Sequence, residues 1–270
     1  MSRPAKSRYP AERSRRFRTA RILVLSLLLA FVALRTLWQH ERATSWKSPL
    51  RVAIDPIAAD ASPATARYLA TLQEAQFAPI DRFFAREAAR YGVREPLPVV
   101  TRLEPRLDRS PPRLAPGADP LATILWSLRL RYFAWTVGRR SAEPTDVRMF
   151  VMYRDPALQS TLPHSLGLEK GLVGVVYAFA DPRMDGANDV VIAHELMHTL
   201  GATDEYDPAT DAPLFPDGYG DPRQVPLLPQ HTAELMAGRR VIGPGRWTEP
   251  LSLAEVVIGP RSARQIRWIR

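Results

Sequence analysis

Residues 188–206 read Asn-Asp-Val-Val-Ile-Ala-His-Glu-Leu-Met-His-Thr-Leu-Gly-Ala-Thr-Asp-Glu-Tyr, and the reading of this stretch decides the fold. Asn188 suits an N-cap, Asp189 the positive end of a helix dipole, and Gly201 a helix C-terminus. Between them the spacing predicts a helix of about three turns, at roughly 3.6 residues each. His194 and His198 stand four residues apart, so both imidazoles leave one face and can bind one metal through nitrogen. Glu195 is placed to reach a water on that metal without binding the metal itself. The surrounding Val191, Ile192, Leu196, Met197 and Leu200 are apolar, which makes this a core helix. Two histidines and a glutamate buried there without partners would be costly. Asp204 lies three residues beyond Gly201, where a third ligand completes a tripod.

Other third ligands remain open. Glu234 fits a pattern in which a later glutamate completes the site, and His231 is the more distant possibility. Glu205 is one residue out of step with Asp204. The loop aspartates Asp207, Asp211, Asp217 and Asp221 are read as turn formers rather than calcium ligands. Tyr206 and Tyr219 are candidates for oxyanion support, with structural packing as the plainer role. His40 and His164 are read as incidental.

The run His194-Glu195-x-x-His198-x-x-Gly201-x-x-Asp204 resembles the metzincin zinc signature, with aspartate in the third position, as in the snapalysin branch. That resemblance covers residues 188–238. It implies an α+β, zincin-like fold with a small mixed sheet, and Zn2+ held by His194, His198 and Asp204. It also implies Glu195 as general base and a methionine turn beneath the metal, for which Met236 is the candidate. Peptide or protein substrates are implied, paired as an extended chain with a sheet edge, which the resemblance puts in the strand before the motif helix, within 171–180.

Composition sets the surroundings of this domain. The 270 residues suit one sizeable domain with appendages, and the 46% hydrophobic content suffices for a core. There is no cysteine, which removes disulfides, thiolate-bound zinc and thiol nucleophiles. The net charge of +9 would suggest nucleic acid if it were spread over the surface. It is not: residues 1–21 hold eight bases against Glu12, while the other 249 residues carry 29 bases and 27 acids. No nucleic-acid partner is expected.

The basic tail runs directly into ILVLSLLLAFVAL at 22–34, extended to Trp38 if Arg35 snorkels. Crossing a bilayer takes roughly 17–25 helical residues, so 22–38 is just long enough for a signal anchor. No small-residue cleavage pattern comes after it. The expectation is a cytoplasmic tail at 1–21, an N-terminal transmembrane helix at 22–38, a stalk at 39–50 and a metallopeptidase-like domain at 51–270. Positive charge stays inside, so the domain would face outward from a bacterial-type plasma membrane. A membrane-anchored zinc endopeptidase is the leading expectation. Its rival is a non-catalytic zinc-binding or structural envelope protein, which has no use for Glu195.

Upstream, alternation and β-branched residues predict strands at 51–57, 97–103, 147–153 and 171–180. Ser62-Pro63 predicts the start of a helical region, which Pro79 kinks or splits in two. Residues 121–137 are apolar around Arg129 and Arg131, and are read as a largely buried amphipathic helix rather than a second span. Residues 203–230 read as an ordered, proline-tied loop, and 251–258 and 262–270 as short terminal helices.

Overall fold

The computed structural model describes residues 21–24, 26, 27, 34, 38–115, 117, 119–169 and 171–269. The basic tail and most of the expected anchor lie outside the described residues. Among the described residues, no helix is long and apolar enough to cross a membrane.

The architecture is α+β around a five-stranded mixed sheet. Its strands are β1 (Leu50–Ala58), β2 (Val99–Leu103), β3 (Val147–Arg154), β4 (Leu166–Leu168) and β5 (Val173–Phe179). They lie in the order β2-β1-β3-β5-β4. All neighbours are parallel except β4, which runs antiparallel to β5. The helices are α1 (Pro63–Thr71), α2 (Ala78–Arg90), α3 (Pro120–Gly138), α4 (Asp185–Thr199) and α5 (Pro260–Gln265). The chain splits α1 from α2 through a 3-10 turn at Glu74–Phe77, ahead of Pro79, which sits in the first turn of α2 where its missing N–H costs nothing. Ser62 caps α1 by accepting from the Ala64 amide at 3.1 Å.

Both faces of the sheet are covered, as a buried parallel sheet requires. Alternate side chains separate the two cores. Val52, Ile54, Met149, Val151, Tyr153, Val176 and Ala178 pack with α1, α2 and α4. Ile57, Phe150, Met152, Val173 and Val175 face the other way, onto Trp126, Leu130, Ala134 and Val137 of α3. Helix α3 is therefore less buried than the sequence suggests. Its apolar residues run all round the cylinder, but only the sheet-facing side finds a partner.

Two further expectations change. The segment at 251–258 is not a helix: it forms a 3-10 turn at Leu253–Glu255 and a two-residue strand at Val256–Val257 beside Ala233–Glu234. Residues 43–46, expected in a stalk, contribute Ala43 and Trp46 to the core. The Trp46 indole N–H donates to the Ile266 carbonyl at 2.7 Å, and its ring meets Trp268 edge-on at 5.6 Å.

One ion pair lies inside the α3 layer. Arg148 Nη1 donates to both oxygens of Asp55 at 2.7 and 2.8 Å, with both residues at most 5% exposed. Burial pushes the Asp55 carboxyl up to about 6 against the pull of Arg148. Asp55→Ala leaves the guanidinium buried and unpaired and should cost about 3–5 kcal/mol in urea unfolding. The double replacement Asp55→Leu, Arg148→Met should recover most of that loss; a double variant as weak as the single one would show that the pair is not the cause.

Candidate metal centre

Helix α4 begins at Asp185, three residues before the expected cap, so Asn188 lies inside it. The Asn188 side chain has another task. Its Oδ1 accepts from the Phe179 amide at 3.0 Å and its Nδ2 donates to the Phe179 carbonyl at 2.9 Å. This two-point clamp fastens the first turns of α4 to the end of β5. Farther along the same element, His194 and His198 are carried to its other end. Asp189 is buried beside Asp185, and its carboxyl is pushed up to about 8, first by burial and then by that neighbouring charge.

The chain leaves α4 through Gly201 at φ +100°, a conformation that costs a residue with a Cβ but not glycine. That turn brings Asp204 back over the helix. His194 Nε2 and His198 Nε2 are 3.0 Å apart, and each lies 3.2 Å from Asp204 Oδ1. One ligand atom from each of the three residues falls within 4.8 Å of the others.

The far side of each ring is also fixed. His194 Nδ1 donates to the Leu235 carbonyl and His198 Nδ1 to the Ala202 carbonyl, both at 2.9 Å. A carbonyl can only accept, so each Nδ1 carries the proton and each Nε2 presents a lone pair to the common centre. Two lone pairs and a carboxylate oxygen aimed at one point repel one another unless a cation lies among them. A tetrahedral zinc site with bonds of about 2.0–2.1 Å has ligand edges of roughly 3.3 Å. The three edges here are within a few tenths of that. The donor set fits a divalent metal, with backbone carbonyls holding the imidazoles in the required tautomer.

The Leu235 carbonyl belongs to a tight turn ending at Gly238, φ +64°, with Met236 fully buried in the same core as Leu196 and Met197 of α4. The Met236 carbonyl accepts from the Glu205 amide at 3.0 Å, tying the turn to the residue after Asp204. Glu234 is the anchor of this turn rather than a ligand. Its Oε2 accepts from the amides of Met236 and Ala237, and its Oε1 from the Gly259 amide and Ser262 hydroxyl. With both oxygens committed to those donors, Glu234 has none to offer the centre. His231 is exposed in the loop. Glu205 is buried, and its Oε1 pairs with Arg261 at 3.0 Å. The loop aspartates Asp207 and Asp221 accept from amides two or three residues ahead, as turn formers do. The pKa of the Tyr206 hydroxyl is raised by burial and by the nearby Asp204 charge, and the Arg239 guanidinium lies over its ring at 5.3 Å, while Tyr219 packs its ring against Phe215 at 5.2 Å.

Glu195 is 5% exposed, and its Oε2 is buried with no partner among the described residues. Burial raises its pKa against the pull of His194 and His198. Over it lies Gly167 of β4. A Cβ at Gly167 would overlap the Glu195 carbonyl oxygen and approach His198 Cβ to 2.6 Å. The sheet edge next to the centre is thus β4; β5, expected at the edge, lies between β3 and β4. Nothing in the sequence marks β4, because three residues are too few to show a period.

No family model matches the chain, and no curated protein matches it. Among solved structures, wild-type OgpA from Akkermansia muciniphila is similar over 79% of this chain and 58% of its own, at 12% identity and a TM-score of 0.33. Catalytically inactive OgpA in complex with an O-glycopeptide substrate, glycodrosocin, is similar over 80% and 58%, at 13% identity and a TM-score of 0.32. This chain spans less than two thirds of the length of those chains. The functional reading therefore stands on the geometry of the centre.

That geometry has two measurable consequences. Gly167→Ala should push β4 off α4 and lower metal affinity, read by competition with a chelating dye; unchanged affinity would mean that the strand yields freely. The second concerns pH. In the metal-free protein burial drives the Asp204 carboxyl up, yet the hydrogen bonds it accepts when the two rings are also protonated at Nε2 hold it well below the carboxylate range. Burial likewise drives His198 down, and Asp204 with Glu195 outweighs it. A lowered acid contributes stability above its unfolded value, and a raised histidine contributes below its own. The metal-free cluster is then most stabilising between about pH 4 and 6.5, and weakens above. Zinc requires unprotonated Nε2, so the rise in Tm on adding zinc should be larger at pH 8 than at pH 5.5. Equal increments would contradict the assignment of the cluster.

Proposed function

We propose that the protein is a membrane-anchored zinc-dependent endopeptidase, with His194, His198 and Asp204 as metal ligands and Glu195 as general base. The observation that carries this is the convergence of two carbonyl-fixed Nε2 atoms and Asp204 Oδ1 at 3.0–3.2 Å. A divalent cation held there supplies Lewis acidity, polarising a carbonyl oxygen and making water a stronger acid.

The chain's own residues account for the rest. Glu195 adjoins the first ligand but contributes no atom to the triad, and its unpartnered Oε2 is free to take a proton from the attacking water. The free edge of β4 offers backbone groups to an extended peptide, and Gly167 lets that edge lie against α4 without a side chain between. Outward export of the domain is supported by the basic tail at 1–21 and the apolar run at 22–34 directly after it.

The second reading, a zinc-binding envelope protein without turnover, shares the three ligands. It gives no reason for a buried carboxylate with a spare oxygen beside them, since such a group is costly unless used. Zinc content measured with casein hydrolysis separates the readings. Glu195→Gln should keep one zinc per chain and lose activity by about 10²–10⁴-fold, the usual scale of general base catalysis. Stoichiometric zinc with an inert wild type would favour the second reading, and full activity in Glu195→Gln would remove Glu195 from its role. Because an aspartate ligand cancels metal charge, Asp204→His should move the activity optimum toward acid, and a shift toward alkali would contradict the ligand assignment.

A further inference from the structure

Helix α3 leaves an apolar face without cover among the described residues. Leu121, Ile124, Leu125, Leu128, Tyr132 and Trp135 are between 47% and 75% exposed. Their spacing of three, four and seven residues makes one stripe along the helix, opposite the side that packs on the sheet. A stripe of this size on a protein surface marks a place of contact.

Its chemistry points to one kind of partner. Residues 120–140 contain no acid and four arginines, of which Arg129, Arg139 and Arg140 are exposed. The Arg139 guanidinium lies over the Trp135 ring at 5.0 Å, and Tyr132 and Trp135 are ring neighbours at 5.8 Å. Aliphatic side chains beside tryptophan, tyrosine and arginine are the composition of a helix lying in the headgroup boundary of a bilayer. Arginine stems can cover apolar surface while their heads meet lipid phosphate. The helix lies on such a surface rather than across it, because Arg129 and Arg131 at its middle would be costly in hydrocarbon.

Position supports the same partner. Gln39, a few residues after the apolar run at 22–34, lines a groove together with Leu128, Tyr132 and Trp135. The chain emerging from that run therefore reaches the domain beside the exposed stripe. We propose that the outer face of α3 rests in the surface of an anionic lipid bilayer, the one that residues 22–38 enter. This rests on the anchoring part of the proposed function and is independent of its hydrolytic chemistry.

The absence of cysteine makes the test direct. Single substitutions Leu125→Cys and Tyr132→Cys, with Val225→Cys in an exposed loop as control, are introduced into the full chain and labelled with a polarity-sensitive fluorophore. Each is incorporated into phosphatidylcholine–phosphatidylglycerol vesicles, with or without acyl-brominated lipid, and flotation records anchoring separately. The labels at 125 and 132 should shift to the blue and lose emission to bromine, while that at 225 does neither. Adding Leu128→Glu with Trp135→Glu, both at exposed positions, should abolish the quenching at 125 and leave flotation intact. Flotation with unquenched labels at 125 and 132 would overturn this inference and leave the anchor standing. Absence of both flotation and quenching would remove the two together. A blue shift that tracks protein concentration without bromine quenching would place a second copy of the chain on α3, which also overturns it.

Discussion

The centre depends on two backbone carbonyls. Those of Ala202 and Leu235 each accept from a histidine Nδ1 at 2.9 Å, and in doing so decide where both Nε2 lone pairs point. A histidine on a helix is otherwise free to rotate and to choose its tautomer, and two such rings would rarely converge. The two carbonyls come from separate segments: the turn leaving α4, and the turn around Met236, with Leu235 41 residues beyond His194. Anything that shifts either turn re-aims an imidazole of the candidate centre.

Each turn is itself held by a local constraint. The first needs a positive φ at Gly201. The second is gripped by Glu234, whose four accepted hydrogen bonds gather the Met236 turn, Gly259 and the start of α5 around one carboxylate. Burial raises the pKa of that carboxyl and the four donors oppose it. A buried acid of this kind is expensive when unsatisfied and strongly directional when satisfied. That explains why a glutamate near the centre is not a ligand: its oxygens are already committed to placing the turn that aims His194.

Much of this was legible in the sequence because it is local. The four-residue spacing of His194 and His198, the glycine at 201 and Asp204 beyond it are consequences of helix period and backbone sterics, which neighbouring residues report. The strands β1, β3 and β5 show the same way, through apolar runs bounded by breakers. What sequence does not report is which partner a group meets far along the chain. Asn188 reads as a helix cap because asparagine often is one, but its amide finds Phe179 in the preceding strand instead. Glu234 reads as a metal ligand by its type, and only the fold shows its four donors. The edge strand β4 leaves no periodic trace, and Gly167 gains its meaning solely from the closeness of α4.

The same limit explains α3. Periodicity identifies a helix that is apolar on every side, and burial is the natural expectation for such a helix. The sheet, however, has two unequal faces. One is covered by α1, α2 and α4, whose packing continues into the segments around Met236 and Trp268. The other has α3 as its helical cover, with Leu107 and Leu114 of the preceding segment at its margin. A single helix layer must show its outer side to whatever lies beyond the protein. The candidate metal centre sits in the thick layer, enclosed by turns that fix its side chains, while the thin layer presents arginine, tryptophan and leucine outward. One sheet thereby separates a face that must exclude disorder from a face whose side chains are suited to a soft, anionic neighbour.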